Sequence, residues 1–224
     1  MTICRYSVFG VGLVFLLAGV GSSWGEPSAE GTPPVHEHMA HLGDQMAPDE
    51  HAAHRAAMQQ TRYSVTTERY AVPDVELIDQ SGTSVALRTL LEADQPVALN
   101  FIFTTCTTIC PVMTATFAKM RRDLGESAGQ VRLVSISIDP EYDRPGVLKA
   151  YAERFHAGAG WSFLTGDGAQ ISKVLSSFKT FAGSKMNHQP ITLLKSPRSP
   201  TWVRIDGLAS GEDLAHEVIA RLLD

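Results

Sequence analysis

Short apolar runs alternate with amphipathic stretches from residue 62 to the end of the chain. The runs VALNFIF at 97–103 and VRLVSISI at 131–138 are typical of strands buried on both faces. Alternation on either side of Gln80-Ser81-Gly82 predicts an N-terminal hairpin. Apolar residues at helical spacing predict helices at 111–124, 144–155, 169–181 and 212–223. Further strands are predicted at 65–72, 191–194 and 202–205, and 161–164 is a short apolar stretch to which no element is assigned. This order predicts an α/β domain with a central mixed sheet flanked by helices.

A pair of cysteines follows the first buried run, at the point where α/β sheets place their sites. Cys106 and Cys110 lie between the predicted strand 97–103 and the predicted helix 111–124, and a strand, a late hairpin and a final helix follow. This layout predicts a thioredoxin-like fold for residues 62–224. Pro111 suits the first turn of the helix.

The first 25 residues have a different pattern, with one arginine and then the apolar run VFGVGLVFLLAGV at 8–20. Small residues and Trp24 follow, as they do before a signal-peptide cleavage site, so we interpret 1–25 as an export signal. A retained N-terminal anchor is the alternative, although the run is shorter than the ~20 residues that span a bilayer. Either interpretation places the domain in the bacterial periplasm or at the outer face of the inner membrane.

Residues 26–61 form a polar segment that opens with a linker composition and is predicted to be a disordered tether. Five of the chain's eight histidines lie in it, with methionines among them. Imidazole and thioether are copper ligands, so the segment is a candidate accessory copper site, and a plain polar tether is the alternative. The candidate ligands are His36, His38, Met39, His41, Met46, His51 and His54.

The net charge of −5, with no basic cluster, excludes a nucleic-acid partner, because phosphate binding requires grouped Lys and Arg. The chain has three cysteines. Cys4 falls in the leader, which leaves Cys106 and Cys110 in the domain. A disulfide between residues so close in sequence encloses almost no loop and stabilises little. A chemical role therefore explains the cysteine pair better than a stabilising disulfide does.

Two kinds of chemistry are open to this pair. The helix N-terminus predicts a lowered pKa for the Cys110 thiol. In a regular helix the two Cβ atoms would be about 5–6 Å apart, whereas a disulfide requires about 3.5–4.5 Å. The spacing thus favours a bound metal, and a bent loop permits the disulfide.

A Cu(I) site built on two thiolates usually takes a third ligand, and the domain offers three histidines. His156 follows a predicted helix and is interpreted as a surface residue, and His216 is predicted to face solvent on the last helix. His188 lies just before the strand that begins at Ile191, and the loop before that strand packs beside the cysteines in thioredoxin-like folds. Of the three, His188 is therefore the candidate, and an ordinary surface or core histidine is the alternative.

The chain resembles the Sco/SenC family of copper-binding oxidase assembly proteins. The resemblance extends over about residues 70–220 and is carried by NFIFTTCTTICPVM at 100–113, SISIDPEYDRPGVLKAYAERF at 135–155, WSFLTG at 161–166 and NHQPITLL at 187–194. It implies a thioredoxin fold, an N-terminal anchor or export signal, and copper on Cys106, Cys110 and His188. The family's aspartate after the second strand matches Asp139, which would lie near the site or cap the following helix.

Three departures from the family pattern leave this ligand set intact. Thr107 stands where proline is common after the first cysteine, Asn187 stands where aspartate precedes the histidine, and Gln189-Pro190 follows it instead of serine. They affect the expected redox potential, the mobility of the loop and the choice of partner.

The resemblance implies a chaperone that binds copper, as Cu(I) and also as Cu(II), and passes it to an oxidase subunit. A thiol reductant or another copper carrier is a further expected partner. The alternative function is a thiol–disulfide oxidoreductase in which Cys106 and Cys110 are catalytic and reduce the cysteines of the target copper site. A redox or copper sensor is a third hypothesis.

Overall fold

Two strands form the centre of the sheet, and their side chains are buried on both of its faces. They are β4 (Val97–Ile102) and β5 (Arg132–Ser137), which pair in parallel from Val97 opposite Arg132 to Ile102 opposite Ser137. Parallel neighbours need a crossover connection, and the crossover here carries the two cysteines. The computed structural model describes residues 63–180 and 183–223.

The remaining elements follow the predicted α/β order, with a strand at Trp161–Thr165 and a short helix at Leu87–Leu91 that the sequence pattern did not predict. The other strands are β1 (Tyr63–Glu68), β2 (Glu76–Asp79), β3 (Ser84–Ala86), β6 (Trp161–Thr165), β7 (Ile191–Lys195) and β8 (Trp202–Gly207). The helices are α1 (Leu87–Leu91), α2 (Ile109–Asp123), α3 (Pro145–Arg154), α4 (Gly168–Ser177) and α5 (Gly211–Val218). Two 3₁₀ turns at Gly125–Gln130 and Lys185–Asn187 and a π turn at Ile219–Leu223 complete the set.

The strands form one mixed sheet in the order β1-β8-β7-β4-β5-β6-β2-β3. Strands β4, β5 and β6 are parallel to one another, and the other neighbouring pairs are antiparallel. The predicted N-terminal hairpin is β2–β3, which joins the sheet beside β6. The sheet and its helices form the predicted thioredoxin-like fold.

Helices cover both faces of the sheet and enclose two apolar cores. On one face α2, α3 and α5 bury a core that includes Phe117, Tyr151 and Leu214, and on the other face α1 and α4 bury a core that includes Leu87 and Val174. Side chains of β4 enter both cores, which explains why that strand is apolar along its whole length.

The boundaries of several elements differ from the prediction, including those of α2, α4, α5 and β1. Helix α2 begins at Ile109, two residues early, so Cys110 lies inside the helix and Pro111 is its third residue. Helix α4 ends at Ser177 and not at 181, because Lys179 has a positive φ of 52° that cannot continue a right-handed helix. The last helix stays α-helical to Val218 and then widens into the π turn. Strand β1 begins at Tyr63 and ends at Glu68, earlier than predicted, since its partner β8 extends over 202–207.

Three predictions concern residues outside the described part: the leader at 1–25, the tether at 26–61 and the accessory copper ligands in that tether. Across 63–180 and 183–223, no helix is both long enough and apolar enough to cross a membrane.

Candidate metal centre

The cysteine pair occupies the loop after β4 and the first turn of α2. The Cys106 backbone N–H donates to the carbonyl of Phe103 at 3.2 Å, which bends the chain away from the strand. Cys106 is half-buried beside the helix N-terminus, and Cys110, the second residue of α2, is fully buried. Both thiols are free.

The thiol of Cys106 is the more acidic of the two. Partial burial raises its pKa, but hydrogen bonds from the Cys110 backbone N–H and from the Thr108 hydroxyl and N–H outweigh that effect and lower the pKa to about 7. The Thr108 hydroxyl oxygen lies 3.6 Å from the sulfur. Unpaired N–H groups of the first helical turn therefore point at Cys106. Near neutral pH a large share of this thiol is thiolate.

The prediction of a lowered pKa for Cys110 is wrong. Burial raises the pKa of Cys110 to about 12, and the negative charges of Cys106 and Asp143 act in the same direction. The reason is the early start of α2, which carries the Cys110 side chain into the core and leaves Cys106 at the helix N-terminus. The electrostatic effect inferred from the sequence is present, but it acts on the other sulfur.

His188 is buried at the end of the 3₁₀ turn before β7, with its side chain against the end of β4. Its Nε2 lies 2.9 Å from the carbonyl oxygen of Phe101. A carbonyl only accepts, so Nε2 carries the proton and Nδ1 keeps a lone pair. Burial lowers the pKa of the imidazole although the bond to Phe101 opposes this, so the ring is neutral at pH 7. A neutral imidazole is the form that binds metals.

One cavity joins the cysteine loop to the histidine turn. We name it the Cys106–His188 cavity; its volume is about 190 Å³, and it is lined by Phe103, residues 105–109, Lys185, Met186 and His188. The structure thus brings two of the three predicted ligands to one space, with the buried Cys110 next to Cys106 in the pair. The full ligand set is not assembled in it: in the described ranges no three His, Cys, Asp or Glu side chains are grouped closely enough to hold a metal ion.

Asp139 supports the histidine turn and does not cap a helix. Its carboxylate accepts a hydrogen bond from Lys185 Nζ at 2.6 Å, three residues before His188. Helix α3 has Arg144 at its N-cap, with no side-chain capping bond. Of the two roles considered for Asp139, the structure therefore favours a place near the site.

Asp143 is a buried carboxylate beside the cysteine loop that the sequence interpretation did not single out. It is fully buried, and its carboxylate accepts hydrogen bonds from the Thr104 N–H at 3.0 Å, the Thr104 hydroxyl and the Ser137 hydroxyl at 2.6 Å. It ties the loop before Cys106 to the end of β5. The available signal was its place as the second aspartate of D-P-x-x-D.

The other two histidines of the domain lie on the surface, as predicted. His156 is exposed just after α3, with a positive φ of 53°, and His216 is exposed on α5. Neither lines the Cys106–His188 cavity.

Comparisons with known proteins point to one family. A family model described as SCO1/SenC matches residues 64–223. The SCO1 protein homolog of Bacillus subtilis is 37% identical over 113 residues, which cover 49% of this chain and 58% of that protein. The chain thus spans little more than half the length of this curated relative.

Solved structures of Sco proteins share the fold. Copper-bound ScoI of Bradyrhizobium japonicum superimposes with a TM-score of 0.54 at 25% identity, over 68% of this chain and 100% of that one. BsSco, described as a member of the Sco family of cytochrome c oxidase assembly proteins with a disulfide switch, has a TM-score of 0.55 at 30% identity, over 72% of this chain and 97% of its own.

Proposed function

The chain belongs to the SCO1/SenC family, and we propose that it carries copper as cargo and delivers it to a copper centre of cytochrome c oxidase during assembly. Similar proteins support this, since one structural neighbour holds copper and another is described as an oxidase assembly protein. The acceptor in this proposal is a copper-receiving oxidase subunit.

Copper is held, in this proposal, by the two thiolates and His188. Soft thiolates suit Cu(I) and imidazole suits both oxidation states of copper. Cys106 supplies a thiolate near neutral pH because its pKa is about 7, and His188 supplies the lone pair on Nδ1. Cys110 must lose its proton when the metal arrives, as thiol ligands generally do. The donor types therefore fit Cu(I).

The observation that carries the proposal is the cavity shared by Cys106 and His188. These residues are 82 positions apart in the sequence. They come together because the cysteine loop and the histidine turn meet at one end of β4. A half-buried thiolate beside a neutral buried imidazole adds little to the stability of the fold but suits a metal site.

The test is the stoichiometry and affinity of Cu(I) binding to the reduced full chain, with a competing Cu(I) chelator that keeps weaker sites empty. We expect one tightly bound ion, weakened at least about tenfold, or ~1.4 kcal/mol, by His188→Ala and more by Cys106→Ser. His156→Ala is the matched control, because His156 is exposed and lies outside the cavity. Unchanged affinity in both site variants would refute the copper site.

A thiol–disulfide oxidoreductase is the second candidate, and the unequal thiols favour it. The Cys106 thiolate would attack a target disulfide and form a mixed disulfide, releasing one target thiolate. Cys110, after losing its proton, would attack the Cys106 sulfur and release the second target thiolate. The target gains two electrons and the chain is left with a Cys106–Cys110 disulfide, which a thiol reductant must reduce.

Reduction of a model disulfide separates the two functions. Rapid reduction with no tight copper would establish the reductase alone, and tight copper with slow reduction would establish the carrier alone. His188→Ala sharpens the distinction, because disulfide exchange needs no imidazole. We expect that variant to lose copper affinity and keep its exchange rate.

The proposed location is outside the cytoplasm, in the periplasm or at the outer face of the inner membrane, and it rests on the 1–25 leader pattern. The His- and Met-rich segment at 26–61 would collect copper and pass it to the domain. Protease accessibility in intact spheroplasts tests the location. A cytoplasmic, protease-protected domain would contradict it.

A further inference from the structure

Among the methionines that the structure describes, Met186 alone is exposed. Met113 and Met120 face the core from α2 and are 4% and 0% exposed, whereas Met186 is 78% exposed. Burial of an apolar side chain stabilises a fold, and an exposed methionine contributes no such stability. The stability of the fold therefore does not account for a methionine at this position.

The backbone of Met186 is held in place on both sides. Ser184 Oγ accepts the Met186 N–H at 3.3 Å, and the His188 N–H donates to the carbonyl of Lys185 at 3.2 Å. Lys185 is tied to Asp139, and the His188 ring is bonded to Phe101. The thioether is thus presented from an anchored turn.

That side chain lines the Cys106–His188 cavity together with the two residues after which the cavity is named. Cys106 is half-buried, His188 is 7% exposed and Cys110 is fully buried. Of the soft or imidazole donors at this place, Met186 is therefore the most accessible from solvent. Thioether sulfur suits Cu(I), and it is unprotonated at every pH, so it binds without releasing a proton.

We propose that Met186 is a transient Cu(I) ligand at the mouth of the cavity, through which the ion enters and leaves. This inference rests on the proposed copper-carrying function and adds the path of transfer to it. A bond from copper to the Met186 sulfur forms as a bond to the external donor breaks. A bond to Cys106 then replaces the thioether, with no change in the oxidation state of copper. The released Cys110 proton goes to solvent.

Release kinetics test the path. The reduced full chain is loaded with one Cu(I), and transfer to an excess of a coloured Cu(I) chelator is followed by stopped flow. We expect Met186→Leu, which keeps the apolar volume and removes the sulfur, to slow release about tenfold, or ~1.4 kcal/mol of transition-state stabilisation. Capture is slowed equally, since both directions use one path, so the equilibrium affinity stays within about threefold. Val112→Ala is the control, because Val112 is exposed close to Cys110 in the chain but lies outside the cavity.

A second readout does not depend on the loaded thiolate site. In the full-chain Cys106→Ser variant with ¹³C-labelled methionine methyl groups, we add Ag(I), a redox-inert substitute for Cu(I). The Met186 resonance, assigned by its absence in Met186→Leu, is expected to shift. An unshifted resonance, or an unchanged release rate in Met186→Leu with normal copper binding, overturns this inference alone. An unmodified chain that binds no Cu(I) overturns the proposed function and this inference with it.

Discussion

Replacing Thr108 with valine removes the hydroxyl that lies 3.6 Å from the Cys106 sulfur, and we expect the pKa of that thiol to rise. The bond is long and the threonine is exposed, so its contribution falls below that of a good hydrogen bond to a charged group and within the range of an ordinary one, ~0.7 kcal/mol. One pKa unit corresponds to about 1.36 kcal/mol, which predicts a rise of about half a unit from a value of about 7. The backbone donors remain and keep the thiol more acidic than an ordinary cysteine.

The assay is alkylation of the reduced chain by iodoacetamide from pH 5 to 10, with the modified cysteine identified by mass spectrometry. In the unmodified chain Cys106 reacts first, with a midpoint near pH 7, because Cys110 is buried and its pKa is about 12. The midpoint is the quantity to compare. A thiolate of higher pKa is intrinsically more nucleophilic, so a rate measured at one pH mixes two effects.

Thr107→Val is the matched control, since Thr107 is exposed next to Thr108 and makes no hydrogen bond to the sulfur. Its midpoint should stay within about a tenth of a unit of the unmodified chain, well below the half unit expected for Thr108→Val from a bond of ~0.7 kcal/mol. A Cys106 midpoint near 9 in the unmodified chain, or first reaction at Cys110, would refute the assignment of the thiolate to Cys106. Equal midpoints in the two threonine variants would refute the role of the Thr108 hydroxyl.

Three further predictions concern stability and the support of the site. Burial raises the pKa of Cys110 from 9.0 to about 12, so the stability that its neutral form provides is full below pH 9 and falls above it by up to about 1.4 kcal/mol per pH unit. Urea titrations of the reduced chain between pH 9 and 10 should show this slope and Cys110→Ala should lack it, whereas above pH 10 the buried Tyr151, whose pKa is raised from 10.0 to about 12, adds a slope of its own. Asp139→Asn removes the ion pair that anchors the turn before His188, so the amide hydrogen of His188 should exchange faster, and an unchanged rate would argue against the anchor. Phe117→Ala should destabilise the domain by about 3–5 kcal/mol in urea because Phe117 is 1% exposed, whereas Val112→Ala on the exposed side of the same helix should cost less than about 0.5 kcal/mol.

The central strands could be predicted from the sequence because their signal is local. A residue of β4 is buried by helices on both faces of the sheet, so every position of VALNFI is selected for burial, and the run is visible without knowledge of the partners. The amphipathic helices are predicted for the same reason. In a helix, a period of about 3.6 residues reports the one buried face.

Helix ends carry a weaker local signal, and both important errors occurred there. The end of α4 depends on the positive φ of Lys179, a conformation that no side-chain pattern indicates for lysine. The start of α2 depends on where the chain leaves β4 and turns at Cys106, two residues before the proline that marks the first turn. A two-residue error is ordinary for a helix boundary, but here it decides which cysteine lies at the N-terminus.

Contacts between distant segments account for the rest of the site. The sequence predicts His188 only from its place before a late strand, whereas its bond to Phe101 and its shared cavity with Cys106 depend on how β4 and β7 pair. The buried carboxylate of Asp143 is held by Thr104 and Ser137, which belong to separate strand ends. These contacts depend on the tertiary arrangement, and single-sequence patterns do not contain it.

The start of α2 also determines how the two proposed functions relate to each other. A reductant needs one acidic thiol to attack and one protonated thiol to resolve, and the geometry provides this division as Cys106 and Cys110. A copper carrier needs both sulfurs as thiolates at once, so copper must displace a proton that burial holds firmly on Cys110. Without copper, the cysteine pair has the attacking thiolate and the resolving thiol that disulfide exchange requires. With copper bound, Cys110 would be a ligand and could not act as the resolving thiol. If the chain has both proposed functions, they would exclude each other on one molecule at one moment, and occupancy by copper would decide between them.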